Sequence, residues 1–164
     1  MRTFALATLA AIASASKSDF PSDAWNHAGC HVQATFDASC DALYKQVDAE
    51  IKAWNPEPLS TPGYYSLKEE ATDDYIWSTR LTYNKKYTDD QLFEFVNGTD
   101  SSCTIKGRSR SQSFSMLDNG VNYCNLWNVF NGIKSAGIAS SFSVDKVSSC
   151  SVKPSNPTET CARY

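Results

Sequence analysis

The hydrophobic period of this sequence changes once along the chain, and that change limits what it can fold into. Over residues 37–54 the apolar positions Cys40, Leu43, Tyr44, Val47, Ile51 and Trp54 recur every three or four residues, the stripe of an amphipathic helix. Asp37 suits the N-cap, and Lys45 and Lys52 each follow an aspartate by four residues on the polar side. Asn55-Pro56 ends the pattern, because proline disfavours helical backbone in its predecessor. Beyond the proline-containing stretch 56–63 the period becomes two. Over 75–83, Tyr75, Trp77, Thr79, Leu81 and Tyr83 share one strand face, and Ile76, Ser78, Arg80 and Thr82 the other. Further strands are predicted over 30–35, 64–70, 91–96, 103–114 and 121–130, with one more over 138–144 in a serine-rich stretch. Asn97-Gly98 and Asn119-Gly120 read as hairpin turns.

One helix followed by antiparallel strands gives an α+β fold: a long helix packed on a twisted antiparallel sheet of four to six strands, stabilised by disulfides. The order is that of a cystatin-like or α/β-roll topology. The Gln-x-Val-x-Gly segment of cystatins is absent, so the analogy implies no inhibition of cysteine proteases.

Residues 1–15 have the pattern of a signal peptide: Arg2, an apolar run over 4–13, and small residues at Ala13 and Ala15. The run is shorter than the roughly 20 apolar residues that span a bilayer. Cleavage after Ala15 leaves 16–164 as one secreted domain, and no later segment suits a membrane span. The even set Cys30, Cys40, Cys103, Cys124, Cys150 and Cys161 then forms disulfides, with Cys161 pinning a C-terminal tail. Cys103 and Cys124 flank the second predicted hairpin and are the favoured pair. No Cys-x-x-Cys occurs, which argues against a zinc or redox motif. In a secreted chain, Asn97-Gly98-Thr99 is a glycosylation acceptor.

Residues suited to catalysis are few. The two histidines, His27 and His31, stand where no helix is expected. The adjacent carboxylates Glu69-Glu70, Asp73-Asp74 and Asp89-Asp90 read as solvated strand ends. No catalytic residue, metal ligand or cofactor is assigned. A formal charge of -3 gives no reason to expect nucleic acid.

Two segments stand out as candidate ligand-binding surfaces. In a strand, Lys106, Arg108 and Arg110 share one face, joined by Lys68 and Arg80 if that face lies opposite the helix. The strip is either a solvated face that discourages edge pairing or a site for an anionic glycan. Tyr123 and Trp127, interleaved with asparagines, suit glycan stacking or a half-buried core. A pocket under the helix would be lined by Tyr44, Trp54, Trp77, Phe93 and Trp127, which as a list equally describes a filled core. The expectation is a secreted, non-enzymatic binding protein for a glycan, a small apolar ligand or a protein partner. The alternatives are a small secreted carboxylate-dependent hydrolase and a secreted inhibitor or effector.

Overall fold

A computed structural model describes residues 16–55, 63–72 and 74–164. The expected leader and most of the 56–63 stretch lie outside the described residues. After a short 3₁₀ turn (Lys17–Asp19), the elements are β1 (Gly29–Phe36), α1 (Cys40–Ala53), β2 (Tyr64–Ala71), β3 (Tyr75–Leu81) and β4 (Thr88–Thr99). β5 (Ser102–Ser111), α2 (Val121–Ser135), β6 (Phe142–Ser148) and α3 (Pro157–Cys161) follow. The six strands form one sheet in the order β2-β3-β4-β5-β1-β6, every pair antiparallel. Helices α1 and α2 pack on the same face, the inner one. The fold is α+β.

The stripe of α1 behaves as its spacing requires. Leu43, Val47 and Ile51 are fully buried against the sheet, and the Lys45–Asp41 and Lys52–Asp48 pairs form at 2.7 and 2.6 Å. The cap is Ser39, whose Oγ accepts from the Ala42 amide at 3.3 Å. Asp37 instead accepts from the Ser140 hydroxyl and the Ser141 amide.

Residues 121–130 are not a strand. Asn119 and Gly120 do adopt left-handed backbone (φ 53° and 86°), as a hairpin turn would need, but a helix starts directly after them. The Asp118 carboxylate accepts from the Gly120 and Asn122 amides at 3.1 and 2.8 Å and caps α2. The buried positions Asn122, Leu126, Val129, Phe130 and Ile133 recur at helical spacing once Asn122 is counted as inward-facing. Gly107 lets this helix sit low: a Cβ there would come within 3.1 Å of Leu126 and 3.2 Å of Phe130. β6 accordingly begins at Phe142, later than the 138–144 prediction.

The asparagines face a polar row on the sheet. Asn125 Nδ2 donates to Asp89 at 2.9 Å, Ser111 Oγ donates to Asp89 at 2.8 Å, and Ser109 Oγ donates to Asn122 at 2.7 Å. Ser78 Oγ donates to Gln91 at 2.8 Å, and Arg80 donates to the Tyr164 main-chain oxygen at 2.9 Å. Burial pushes the Asp89 carboxyl above its ordinary value, with hydrogen bonds from Asn125 and Ser111 opposing the shift. Asp89 and Asp90 are therefore not solvated strand ends: each is 2% exposed, because β4 begins at Thr88, ahead of the predicted 91. Arg80, 2% exposed, belongs to this inner row and not to the basic strip. Trp77 is on the outer face, where it packs with Phe20, Tyr75 and Leu92, and so does not line space under the helix.

The disulfides are Cys30–Cys150, Cys40–Cys103 and Cys124–Cys161. The favoured Cys103–Cys124 pair fails because residue 124 rides on a helix facing α3, not on a strand returning beside β5. Loops of 120, 63 and 37 residues are closed, each worth about 4–5 kcal/mol by unfolded-chain entropy. Asn97-Gly98 falls on the β4–β5 hairpin, but as a register break between Val96 and Thr99; the tight turn is Asp100-Ser101. Among the described residues no helix is long and apolar enough to cross a membrane.

Candidate functional site

Alternation along β5 sends Cys103, Ile105 and Gly107 inward and Lys106, Arg108 and Arg110 outward. The outer face is therefore where the basic strip lies, and register determines what joins it. Gln33 on β1 stands opposite Lys106 on one side and Lys146 of β6 on the other, with Glu94 of β4 beyond Lys106. One row along, His31 stands opposite both Arg108 and Ser148. Together these side chains line an open groove of about 280 Å³ across β4, β5, β1 and β6. Three cations, Lys106, Arg108 and Lys146, meet one carboxylate, Glu94, in that lining.

The cations are held rather than neutralised. Among the described residues none of Lys106, Arg108, Arg110 and Lys146 forms an ion pair. The Arg108 guanidinium lies over the Phe20 ring, 4.7 Å from its centroid, which orients it without consuming its donors. The Nε atoms of Arg108 and Arg110 are buried and make no hydrogen bond within the protein. At the groove's edge, Asp23 of the N-terminal arm pairs with His31 Nε2 at 3.0 Å. Lys68 is on this face as expected, over the Trp77 ring at 3.8 Å and 3.4 Å from Asp90. Asp90 also accepts from Trp77 Nε1 at 2.9 Å and Gln112 Nε2 at 3.1 Å, so Lys68 is drawn away from the groove.

Tyr123 and Trp127 are not brought to this surface. Tyr123 is 2% exposed and stacks on Trp127 at 6.2 Å, and Trp127 packs edge-on to Phe142 under the inner face. Only Trp127, half-buried, borders a surface groove, with Asn131, Lys134, Phe142 and Thr158. Among the described residues no group of three or more His, Cys, Asp or Glu converges on a metal position. Asp89 and Asp90 point to opposite faces of β4, and Glu69 and Glu70 to opposite faces of β2, so neither adjacent pair converges on one cleft. Asn97 is exposed at the end of the β4–β5 hairpin.

Sequence reasoning missed Lys146 and Gln33. Lys146 lies beyond the predicted 138–144 strand, and only the pairing of β1 with both β5 and β6 brings it near Lys106.

No family model matches the sequence, and no curated protein matches it either. Among solved structures, the chain is similar to the di-domain ARO/CYC StfQ from the steffimycin biosynthetic pathway, with 12% identity and a TM-score of 0.43. That match covers 66% of this chain and 44% of the other, so the chain spans under half of that protein's length. It is also similar to the Mll3558 protein from Rhizobium loti, at 11% identity and TM-score 0.43, covering 66% of this chain and 96% of that one. A third match is the Zhui aromatase/cyclase from Streptomyces sp. R1128, at 8% identity and TM-score 0.32, covering 67% and 86%. Similarity at this level bears on no function.

Proposed function

We propose that this protein is a secreted binding protein whose outer sheet face takes up an anionic ligand, with a sulfated or uronic polysaccharide as the fitting class. The observation that carries the reading is the groove in which Lys106, Arg108 and Lys146 outnumber the one carboxylate, Glu94, and form no ion pair among the described residues. Like charges on one rigid face repel, and repeated anions at matching spacing relieve that repulsion. Alternate side chains of a strand stand about 6.6–6.8 Å apart, and Lys146 adds a second dimension two strands, about 9.6 Å, from Lys106. Secretion is supported by the leader-like pattern over 1–15 and by the three disulfides, which persist in oxidising compartments. Asn97 is the glycosylation position of this reading.

The test is retention on heparin and alginate columns. The wild-type protein is retained at low salt and released steeply as salt rises, since exposed charges are screened over about 8 Å at physiological ionic strength. Arg108→Ser/Arg110→Ser and Lys146→Ser elute earlier. Wild-type protein in the flow-through at low salt, or variants that elute with it, would overturn the reading.

A further inference from the structure

Large apolar side chains in water are distributed very unevenly over this molecule. Trp25, Tyr83, Tyr87, Phe114, Met116 and Leu117, between 52% and 84% exposed, all sit on the N-terminal arm, the β3–β4 turn and the β5–α2 connection. These three segments meet at the same end of the sheet. The Gln112 amide donates to the Thr88 carbonyl at 2.9 Å, and the Ser115 amide to the Asn26 carbonyl at 3.0 Å. Between the β3–β4 turn and the β5–α2 connection is a cleft of about 300 Å³ with Tyr87, Phe114, Leu117 and Val121 on its walls and Asp89, Ser111 and Asp118 among its polar lining.

Among the described residues no lysine, arginine or histidine lines this cleft, whereas two carboxylates do. Asp89 is 2% exposed and held by Ser111 and Asn125; Asp118 is fixed by the Gly120 and Asn122 amides. Both are thus immobilised acceptors with lone pairs left over, and the Asp118 carboxylate adds to the cost of charge on Asp89. The nearest cation of the inner row, Arg80, stands beside Asp89 in strand register, donates to the Tyr164 main-chain oxygen and partly offsets the burial of the Asp89 carboxyl, but is outside the cleft's lining. Behind Asp89, the Asn125 Oδ1 atom is buried without a partner. A cleft of this size is at the lower end of ligand pockets, roughly 300–1,000 Å³, and suits a compact molecule.

We infer that this cleft is a second binding site, for a small organic cation: a protonated amine directed at Asp89 and Asp118, carried on an apolar body covered by Phe114, Leu117 and Tyr87. An ammonium group supplies donors to both carboxylates at once, and a ring or short chain fills the apolar walls. The site is independent of the outer groove, which lies on the other side of the sheet and carries the opposite charge.

Calorimetric titration of the full disulfide-bonded chain with phenethylamine, 2-phenylethanol and phenylacetate tests it. The amine binds saturably, the isosteric alcohol binds at least about tenfold more weakly, and the acid shows no binding, because only the amine brings the complementary charge. Asp89→Asn weakens the amine by about tenfold or more. Phe114→Ala, at a 69% exposed loop residue where truncation is expected to leave thermal unfolding unchanged, weakens it several-fold and keeps the test decisive if Asp89→Asn does not fold. Equal binding of amine and alcohol, wild-type affinity in Phe114→Ala, or no saturation by the amine up to about 10 mM would each overturn the proposal.

Discussion

The two faces of this sheet are made from alternate residues of the same strands, yet they treat polar groups in opposite ways. On the inner face, α1 and α2 exclude water, and the polar residues there, Ser78, Arg80, Asp89, Gln91, Ser109 and Ser111, are bonded to one another, to α2 or to the chain's last residue. On the outer face, among the described residues, the 16–27 arm lies across the strands, and Lys106, Arg108, Arg110 and Lys146 form no ion pair. Asp89 and Asp90 show the contrast within one dipeptide. Asp89 turns inward and has its carboxyl pushed up by burial, while Asp90 turns outward and collects donors from Trp77, Gln112 and Lys68. Desolvation without cover is costly, so the inner face bonds most of its polar groups internally, the Asn125 Oδ1 atom being an exception. The outer face, still wet, can hold charge available to a ligand.

The sharpest way to break this comparison is to cut into the apolar half of the inner face. Phe130 is fully buried and packs on Phe36, Phe93 and Phe142. Phe130→Ala is expected to cost about 3–5 kcal/mol in urea unfolding, the transfer and cavity terms together. A loss below about 1 kcal/mol would show that α2 is not seated on the sheet.

Glu50 offers an effect of opposite sign. It is 8% exposed between the helices, against Gly132, and accepts from Gln46 Nε2 at 3.0 Å. Burial raises its carboxyl from 4.5 to about 8. The folded state therefore keeps this proton over a range where the unfolded chain releases it. Its contribution to stability is complete below about pH 4.5 and declines as pH rises through about 8. At pH 7 the burden is about 3 kcal/mol, and Glu50→Gln is expected to recover most of it while matching wild type near pH 4. Parallel stability curves for the two proteins between pH 4 and 8 would mean that water reaches Glu50 and that the inner face is less dry than its packing implies.

The smallest effect belongs to the outer face. Phe20 is 7% exposed, and its apolar partners among the described residues are the small group of Tyr75, Trp77 and Leu92, with the Arg108 guanidinium over its ring. Phe20→Ala is expected to cost about 1–2 kcal/mol, because the arm can open locally without unfolding the sheet. Hydrogen exchange should then accelerate in β3 and β4 while α2 stays protected. A cost equal to that of Phe130→Ala would make the outer cluster a second core and end the distinction between the faces.

How far the sequence discloses this arrangement depends on whether burial and hydrophobicity coincide. In α1 they do: Leu43, Val47 and Ile51 are apolar and buried, so the helix, its polar side and its stop are all readable. In α2 they do not. Asn122 and Asn125 are fully buried, and counting them as outward-facing turns a helical stripe into an apparent alternation. Their partners, Asp89, Ser109 and Ser111, are on strands remote in sequence, so no local signal marks them as interior. For the basic strip, alternation alone assigns Lys106, Arg108 and Arg110 to one face. Which face that is, and the addition of Lys146, follow only from the register of β1 with β5 and β6. Arg80 illustrates the limit: strand parity places it correctly opposite Trp77, but parity does not say which side the helices cover.

The disulfide pairing also fixes how the chain responds to being cut. Cys30–Cys150 spans every peptide bond from residue 30 to 150, and Cys124–Cys161 overlaps it and carries the span to residue 161. The covalent skeleton thus behaves as a closed circuit from β1 to α3: one break anywhere along it leaves a single molecule. A fragment is released only by two breaks within one cysteine-free interval, such as the stretch between Cys40 and Cys103, or by one break on each side of the Cys40–Cys103 loop, in the stretches 30–40 and 103–124. For a protein proposed to act outside the cell, among proteases, a single nick would therefore leave the strands that form the groove tied together.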